Sequence, residues 1–208
     1  MGEKFRILCY GDSNVFGFVP ELGTRYPKSE RWSGILDSLL PPGYEVIEQG
    51  MNNRTGFFKN PEGIKISGGE YLPIFLEKNK DIDICILALG TNDAQFIYSL
   101  DENIALWGLE HLINCVKKVN RHTKIIIIPP VEITEDILNS GFSVLFDKSS
   151  ITRIKRVMPV FKKAADKHNC YFFDFNLYVS PSKQDGLHYT ADSHRVIAEK
   201  LALFIATL

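Results

Sequence analysis

The stretch Arg6-Ile7-Leu8-Cys9-Tyr10-Gly11-Asp12-Ser13-Asn14 decides the fold. Its first five residues show little polar alternation, so they read as a strand buried on both faces, as in a parallel sheet, and they stop abruptly in a polar turn. Four more short runs rich in Ile, Val, Phe and Tyr share that character, at residues 44–49, 82–89, 124–128 and 171–175. Between the runs the apolar spacing lengthens to three and four. Residues 31–40 form one helical segment, stopped by Pro41-Pro42, and Ile104, Trp107, Leu112, Ile113 and Val116 mark another after Asp101. Ile151, Ile154, Val157, Met158, Phe161, Ala164 and Ala165 mark a third, with Ser149-Ser150 as candidate caps. The last follows Thr190 and carries Val196, Ile197, Leu201, Phe204 and Ile205. Strands alternating with helices through right-handed crossovers give an α/β fold, a three-layer α/β/α sandwich.

The 208 residues suit one domain spanning 1–208, long enough to bury roughly 70% of the surface that the unfolded chain exposes. Lys plus Arg number 24 and Asp plus Glu 25, a formal net charge of −1. Such a balance predicts no strong pull toward nucleic acid or an anionic membrane, and it argues against a disordered class. Cys9, Cys85, Cys115 and Cys170 form no CxxC pair and read as reduced thiols. The opening residues Met1-Gly2-Glu3-Lys4-Phe5-Arg6 carry no leader pattern, and no apolar run approaches a membrane span. A soluble, cytoplasmic protein is expected.

In an open parallel sheet, ligands bind beyond the carboxyl ends of the strands. Three polar sets fall there: Gly11-Asp12-Ser13-Asn14, Gly50-Met51-Asn52-Asn53-Arg54-Thr55 and Gly90-Thr91-Asn92-Asp93. Ser13 is a candidate nucleophile if a base takes its proton and donors hold an oxyanion; otherwise it is an ordinary helix cap. A strand end before a helix would place a helix N-terminus at the developing negative charge. In Asp185-Gly186-Leu187-His188 the carboxylate can reach the imidazole across a tight turn and fix its tautomer; the alternative is a capped turn with a surface histidine. Asn92 can donate to an oxyanion, or leave its strand through an Asx-turn with Asp93. Two long connections, 50–69 and 129–148, have the length of binding loops, and 133–138 is a candidate short helix within the second.

Taken in order, Gly11-Asp12-Ser13, Gly90-Thr91-Asn92-Asp93 and Asp185-x-x-His188 resemble the consensus blocks of the SGNH, or GDSL-type, hydrolase superfamily over most of the chain. Glu30-Arg31-Trp32, and Val46-Ile47-Glu48-Gln49-Gly50 leading to Arg54-Thr55, are similar to its arylesterase and acyltransferase branch. The resemblance implies a flavodoxin-like five-stranded parallel sheet in the order 2-1-3-4-5. It implies a serine esterase working through an acyl-enzyme, with a small-molecule ester as partner and no metal or cofactor. It makes Ser13 the nucleophile, His188 the base and Asp185 its orienting partner. The oxyanion hole would be the Ser13 backbone N–H, the Asn92 side chain and a backbone N–H after the second strand. Many members have glycine at that last position, and the best register here gives Asn53. Asn14 replaces the Leu of the GDSL name; it is expected, with Phe16, to meet substrate, or else to cap the helix. Phe18, Trp32, Phe57, Phe58 and Phe96 are further candidates for an apolar wall. The branch implies short acyl groups such as acetyl, on small-molecule or carbohydrate esters, hydrolysed or passed to another alcohol.

Other readings compete. A thioesterase or lysophospholipase would use the same fold. A flavin or nucleotide binder would share the sheet, but residues 11–17 offer one Ser and no Thr, and neither GxGxxG nor GxxxxGK[ST] occurs. An α/β-hydrolase elbow fails because Gly141-Phe142-Ser143 lacks its closing glycine, and no HExxH motif supports a metal hydrolase. Lys117, Lys118, Arg121 and Lys124 read as a solvated helix end. Phe142, Val144, Leu145 and Phe146 make the 129–148 segment either a lid or a subunit contact, the latter implying a homo-oligomer.

Overall fold

The five apolar runs become strands of one parallel sheet in the order β2-β1-β3-β4-β5 in the computed structural model, which describes residues 4–208. Met1, Gly2 and Glu3, part of the segment read as lacking a leader, lie outside the described residues. The strands are β1 (Phe5–Gly11), β2 (Tyr44–Gly50), β3 (Ile84–Ala88), β4 (Lys124–Ile128) and β5 (Tyr171–Phe172). Ile7–Tyr10, Ile84–Leu87 and Ile125–Ile128 are buried residue after residue, because helices cover both faces of the central strands. The helices are α1 (Ser13–Phe16), α2 (Trp32–Leu39), α3 (Gly68–Glu77), α4 (Glu102–Val119), α5 (Lys148–Lys167) and α6 (Ala191–Ile205). α2 packs on α6, while α3, α4 and α5 pack in series. No described helix is long and apolar enough to cross a membrane.

Three local readings need correction. The cap of α5 is Asp147, whose carboxylate accepts from Ser150 N while Ser150 Oγ accepts from Asp147 N; this reciprocal box displaces Ser149-Ser150 as the cap pair. β5 pairs with β4 only at Tyr171 and Phe172, and the chain then turns at Phe175–Leu177 behind an Asp174 cap. α3 has no counterpart among the expected helices. Gly68-Gly69 and Pro73 disguise it, yet Pro73 is tolerated. The carbonyl that a proline at 73 leaves without its helical donor, Gly69 O, accepts instead from His111 Nε2 of α4 at 3.0 Å. The 129–148 connection contains two short 3₁₀ turns, Glu135–Asn139 and Gly141–Val144, the first overlapping the candidate helix.

The chain leaves β1 toward β2 and returns on the other side to form β3, so the order reverses at β1. There Gly11 lies level with Gly50 on one neighbour and with Ala88 on the other. Gly50 has to be glycine, since a Cβ at that point would sit 2.1 Å from Phe16 N. Its absence lets α1 settle directly on the end of β2.

Candidate active site

Ser13 is the first residue of α1, immediately past the end of β1. Asp12 caps the helix by accepting from Asn14 N at 3.0 Å. The helix lasts one turn before Gly17 ends it, so the helix dipole expected at the nucleophile is that of a single turn. Opposite lies the turn 185–188. Gly186 takes the left-handed conformation (φ 66°) with its Cα so near Ile137 N that a Cβ would stand 2.6 Å away. That turn folds Asp185 back on its own chain. Oδ1 accepts from Leu187 N (3.0 Å) and His188 N (2.9 Å), and Oδ2 accepts from His188 Nδ1 at 2.8 Å. Because the carboxylate takes the Nδ1 hydrogen, Nε2 presents its lone pair, and Ser13 Oγ lies 2.9 Å from it. Burial is the largest influence on Asp185 and raises its carboxyl, but the His188 side chain and the two backbone donors outweigh it and hold the group below the usual range.

Three donors stand at the ends of β1, β2 and β3. Among the described residues no protein acceptor takes the backbone N–H of Ser13 or of Asn53. Asn92 Nδ2 gives one hydrogen to Arg54 O at 3.0 Å and keeps the other. Asn53 has φ 60°, which explains why glycine suits this position elsewhere; asparagine is among the few other residues that enter that region readily.

The GDSL-like lipase/acylhydrolase family matches residues 9–196. The chain belongs to that family. Membership makes it a carboxylic ester hydrolase. Its structure is similar to a carbohydrate acetylesterase from Sinorhizobium meliloti (TM-score 0.91, 26% identity, 98% of this chain and 99% of that one). It is also similar to the M. smegmatis aryl esterase (TM-score 0.87, 29% identity, 98% and 99% covered). A lipase/acylhydrolase from Enterococcus faecalis, at 19% identity and TM-score 0.68 over 97% and 95%, shares the fold. No curated protein matches in sequence.

In this GDSL-like hydrolase the Asn14 side chain clamps two turns together. Its Nδ2 donates to Leu187 O and its Oδ1 accepts from Tyr189 N, each at 3.2 Å, so the amide ties the nucleophile's turn to the histidine's. Arg25 lies over the half-buried Phe16 ring with its guanidinium 4.7 Å from the centroid. The aromatic that meets the triad is Phe18, stacked on the His188 ring at 4.2 Å, joined by Phe142 at 5.0 Å. Trp32 is buried against Phe175, Phe57 packs on Phe161, Phe58 stacks on Tyr98, and Phe96 is exposed. Beneath these rings Ser13 retains 7% of its exposure and His188 2%.

The two branch-like segments meet each other. Arg31 makes a fork-on-fork pair with Glu48 (2.6 and 2.5 Å), and Trp32 Nε1 donates to Asn14 O at 2.9 Å, which fixes α2 beneath α1. Arg54 gathers the strand ends: its guanidinium donates to Gly11 O (3.0 Å), Gln49 O and Lys65 O (2.9 Å), and lies over the rings of Tyr10 and Tyr71. Asp93 does more than an Asx-turn requires. Its buried carboxylate accepts from Gly56 N (2.6 Å), Phe57 N (2.7 Å) and Phe58 N (3.1 Å), pinning the loop that follows Asn53. Burial pushes this carboxyl up to about 6, against the downward pull of the three donors. His194 accepts from Trp32 N at 3.3 Å, and burial pushes its imidazole down to about 3. Only long-range pairing reveals these roles; a lone Asp or His in the sequence carries no such signal. Among the described residues no three metal-ligating side chains cluster.

Proposed function

We propose that the chain hydrolyses esters of short acyl groups, acetyl foremost, on small-molecule or carbohydrate alcohols through an acyl-enzyme on Ser13. The observation that carries this reading is the unbroken relay from Ser13 Oγ to His188 Nε2 to Asp185 at 2.9 and 2.8 Å. Ser13 Oγ attacks the ester carbonyl as its proton passes to His188 Nε2, and Asp185 stabilises the imidazolium. The N–H groups of Ser13 and Asn53 and the free hydrogen of Asn92 Nδ2 receive the tetrahedral oxyanion. Collapse expels the alcohol, which takes the proton from Nε2; water then repeats the sequence and frees the acid.

The Phe18 and Phe142 rings against His188, and the slight exposure of Ser13, favour a small acyl group. The carbohydrate acetylesterase and aryl esterase named above support the same substrate class. An alcohol in place of the second water would make the reaction acyl transfer. Four free thiols, two of them buried, favour a reducing, cytoplasmic setting. Val144 is 70% exposed and Phe96, bonded through its N–H to Leu145 O, lies beside it; a homo-oligomer would cover them, and light scattering reads that directly.

The test is a chain-length series of nitrophenyl and acetylated-sugar esters run beside Ser13→Ala, with fluorophosphonate labelling. Acetyl esters should turn over fastest, Ser13 should carry the label, and Ser13→Ala should abolish turnover while unfolding at the parent's urea midpoint. Full esterase activity in Ser13→Ala overturns the assignment.

A further inference from the structure

Gln95 stands three residues after Asn92, on the turn leaving β3, and is 2% exposed. Its carboxamide Nε2 donates to Asn53 Oδ1 at 2.7 Å and to Asn92 Oδ1 at 3.3 Å. The two hydrogens of one amide therefore bridge two residues from different loops. We propose that Gln95 is a positioning residue that couples Asn53 to Asn92, so that their two oxyanion donors are held as one preformed unit. The proposal rests on the esterase reading of Ser13, Asn53 and Asn92 given above.

Amide polarity is the physical reason. Asn92 serves an oxyanion only with Nδ2 turned toward it. Arg54 O takes one hydrogen of that Nδ2, and Gln95 Nε2 occupies the Oδ1. A flipped Asn92 would set oxygen against Arg54 O and NH₂ against Gln95 NH₂, two repulsive pairs. Asn53 is fixed by the same amide from the other side. Its Oδ1 takes the Gln95 hydrogen and its Nδ2 donates to Glu62 Oε1 at 2.7 Å, so both ends of the side chain are held while the backbone keeps φ 60°. That backbone angle sets where the Asn53 N–H points. A glycine would enter the same angle freely but would break the link to Gln95. The turn that carries Gln95 is itself held, since the Gln95 backbone carbonyl accepts from Arg153 Nη1 at 3.1 Å. The polarity of one buried amide thus propagates to two donors on separate strands' loops.

The experiment measures kcat and KM on an acetyl ester for the parent, Gln95→Met, Gln95→Glu, Asn53→Gly and the Gln95→Met/Asn53→Gly double variant. Full loss of one oxyanion donor costs roughly 10²–10³-fold in kcat, so misplacing donors that remain present should cost about 10- to 100-fold, with KM within about threefold. Gln95→Glu, isosteric but without a donor, should lose at least as much as Gln95→Met, because a carboxylate attracts the Asn92 NH₂ and turns its oxygen toward the substrate. The double variant should fall no further than the worse single one, the sign of a shared unit. Gln95→Glu keeps the test open if Gln95→Met does not fold. A kcat within about twofold of the parent, a loss carried by KM alone, or full additivity in the double variant overturns the coupling. Failure of the underlying reading looks different: Ser13 in the parent then escapes the fluorophosphonate and Ser13→Ala keeps its turnover.

Discussion

Replacing Asp93 by Asn tests what holds the loop that follows Asn53. Three backbone N–H groups favour the charged carboxylate while complete burial opposes it, and burial prevails, leaving the carboxyl at about 6. Asparagine keeps Oδ1 for Phe57 and Phe58 but turns NH₂ toward the Gly56 N–H, which orphans one buried donor at a cost of about 1–3 kcal/mol. At neutral pH the variant also escapes burying a charge, an effect of similar size and opposite sign. The difference between the two proteins at a single pH is therefore small and uninformative; its change with pH is neither. Unfolded aspartate titrates near ~4, so from about pH 4 to about pH 6 the native parent binds more protons than the unfolded chain. The stability that this proton supplies is full below that window and is lost as pH rises through about 6. Going from about pH 7.5 to about pH 5, the parent should gain about tenfold in folding equilibrium constant over Asp93→Asn, ~1.4 kcal/mol. With a urea slope of ~2 kcal/mol/M the parent's unfolding midpoint should rise relative to the variant's by roughly 0.7 M. A parent midpoint that fails to rise relative to the variant's on acidification would mean that the three donors outweigh burial, and the reasoning would be refuted.

Asp185→Asn can donate to His188 Nδ1 and so select the tautomer that cannot accept from Ser13; kcat on an acetyl ester should fall about 10³–10⁴-fold, and a fall below about tenfold rejects the relay. Phe142→Ala removes a ring from beside His188, and the ratio of kcat/KM for a hexanoyl over an acetyl nitrophenyl ester should rise about tenfold; an unchanged ratio means that this ring does not limit acyl length. His194, held at about 3 by burial, has the opposite linkage to Asp93: as pH drops below ~6.5 the unfolded chain takes up a proton that the native state refuses. His194→Gln, which can still accept from Trp32 N, should therefore lose less stability in acid than the parent, by about tenfold per pH unit, and superimposable urea midpoints from about pH 6.5 to about pH 4 would exclude it.

The central strands were legible because burial on both faces leaves an uninterrupted apolar run, as in Ile7–Tyr10 and Ile125–Ile128. α3 was not, because the tolerance of Pro73 depends on His111, a residue on another helix. The sheet order was accessible through three short blocks in sequence, and Ser13, Asp185 and His188 from those blocks converge in the structure. Asn14 and Phe16 show the limit of that route. Adjacency in sequence to Ser13 does not say what a side chain meets; Asn14 bonds the backbone at 187–189, Phe16 meets Arg25, and Phe18 lies beside His188. Asp93 and Gln95 were hidden for a related reason, since their partners lie 35 to 42 residues away.

The hydrogen bond between Ser13 and His188 joins residues 175 positions apart, and the Asn14 clamp spans the same distance. Closing so long a loop gives no return until the sheet between its ends is in place, so the Ser13–His188 pair belongs to the end of the folding reaction. A nascent or refolding chain can then hold most of its secondary structure while remaining chemically inert. Recovery of esterase activity becomes a clock for docking of the C-terminal turn and α6, a step that far-ultraviolet signals would pass over.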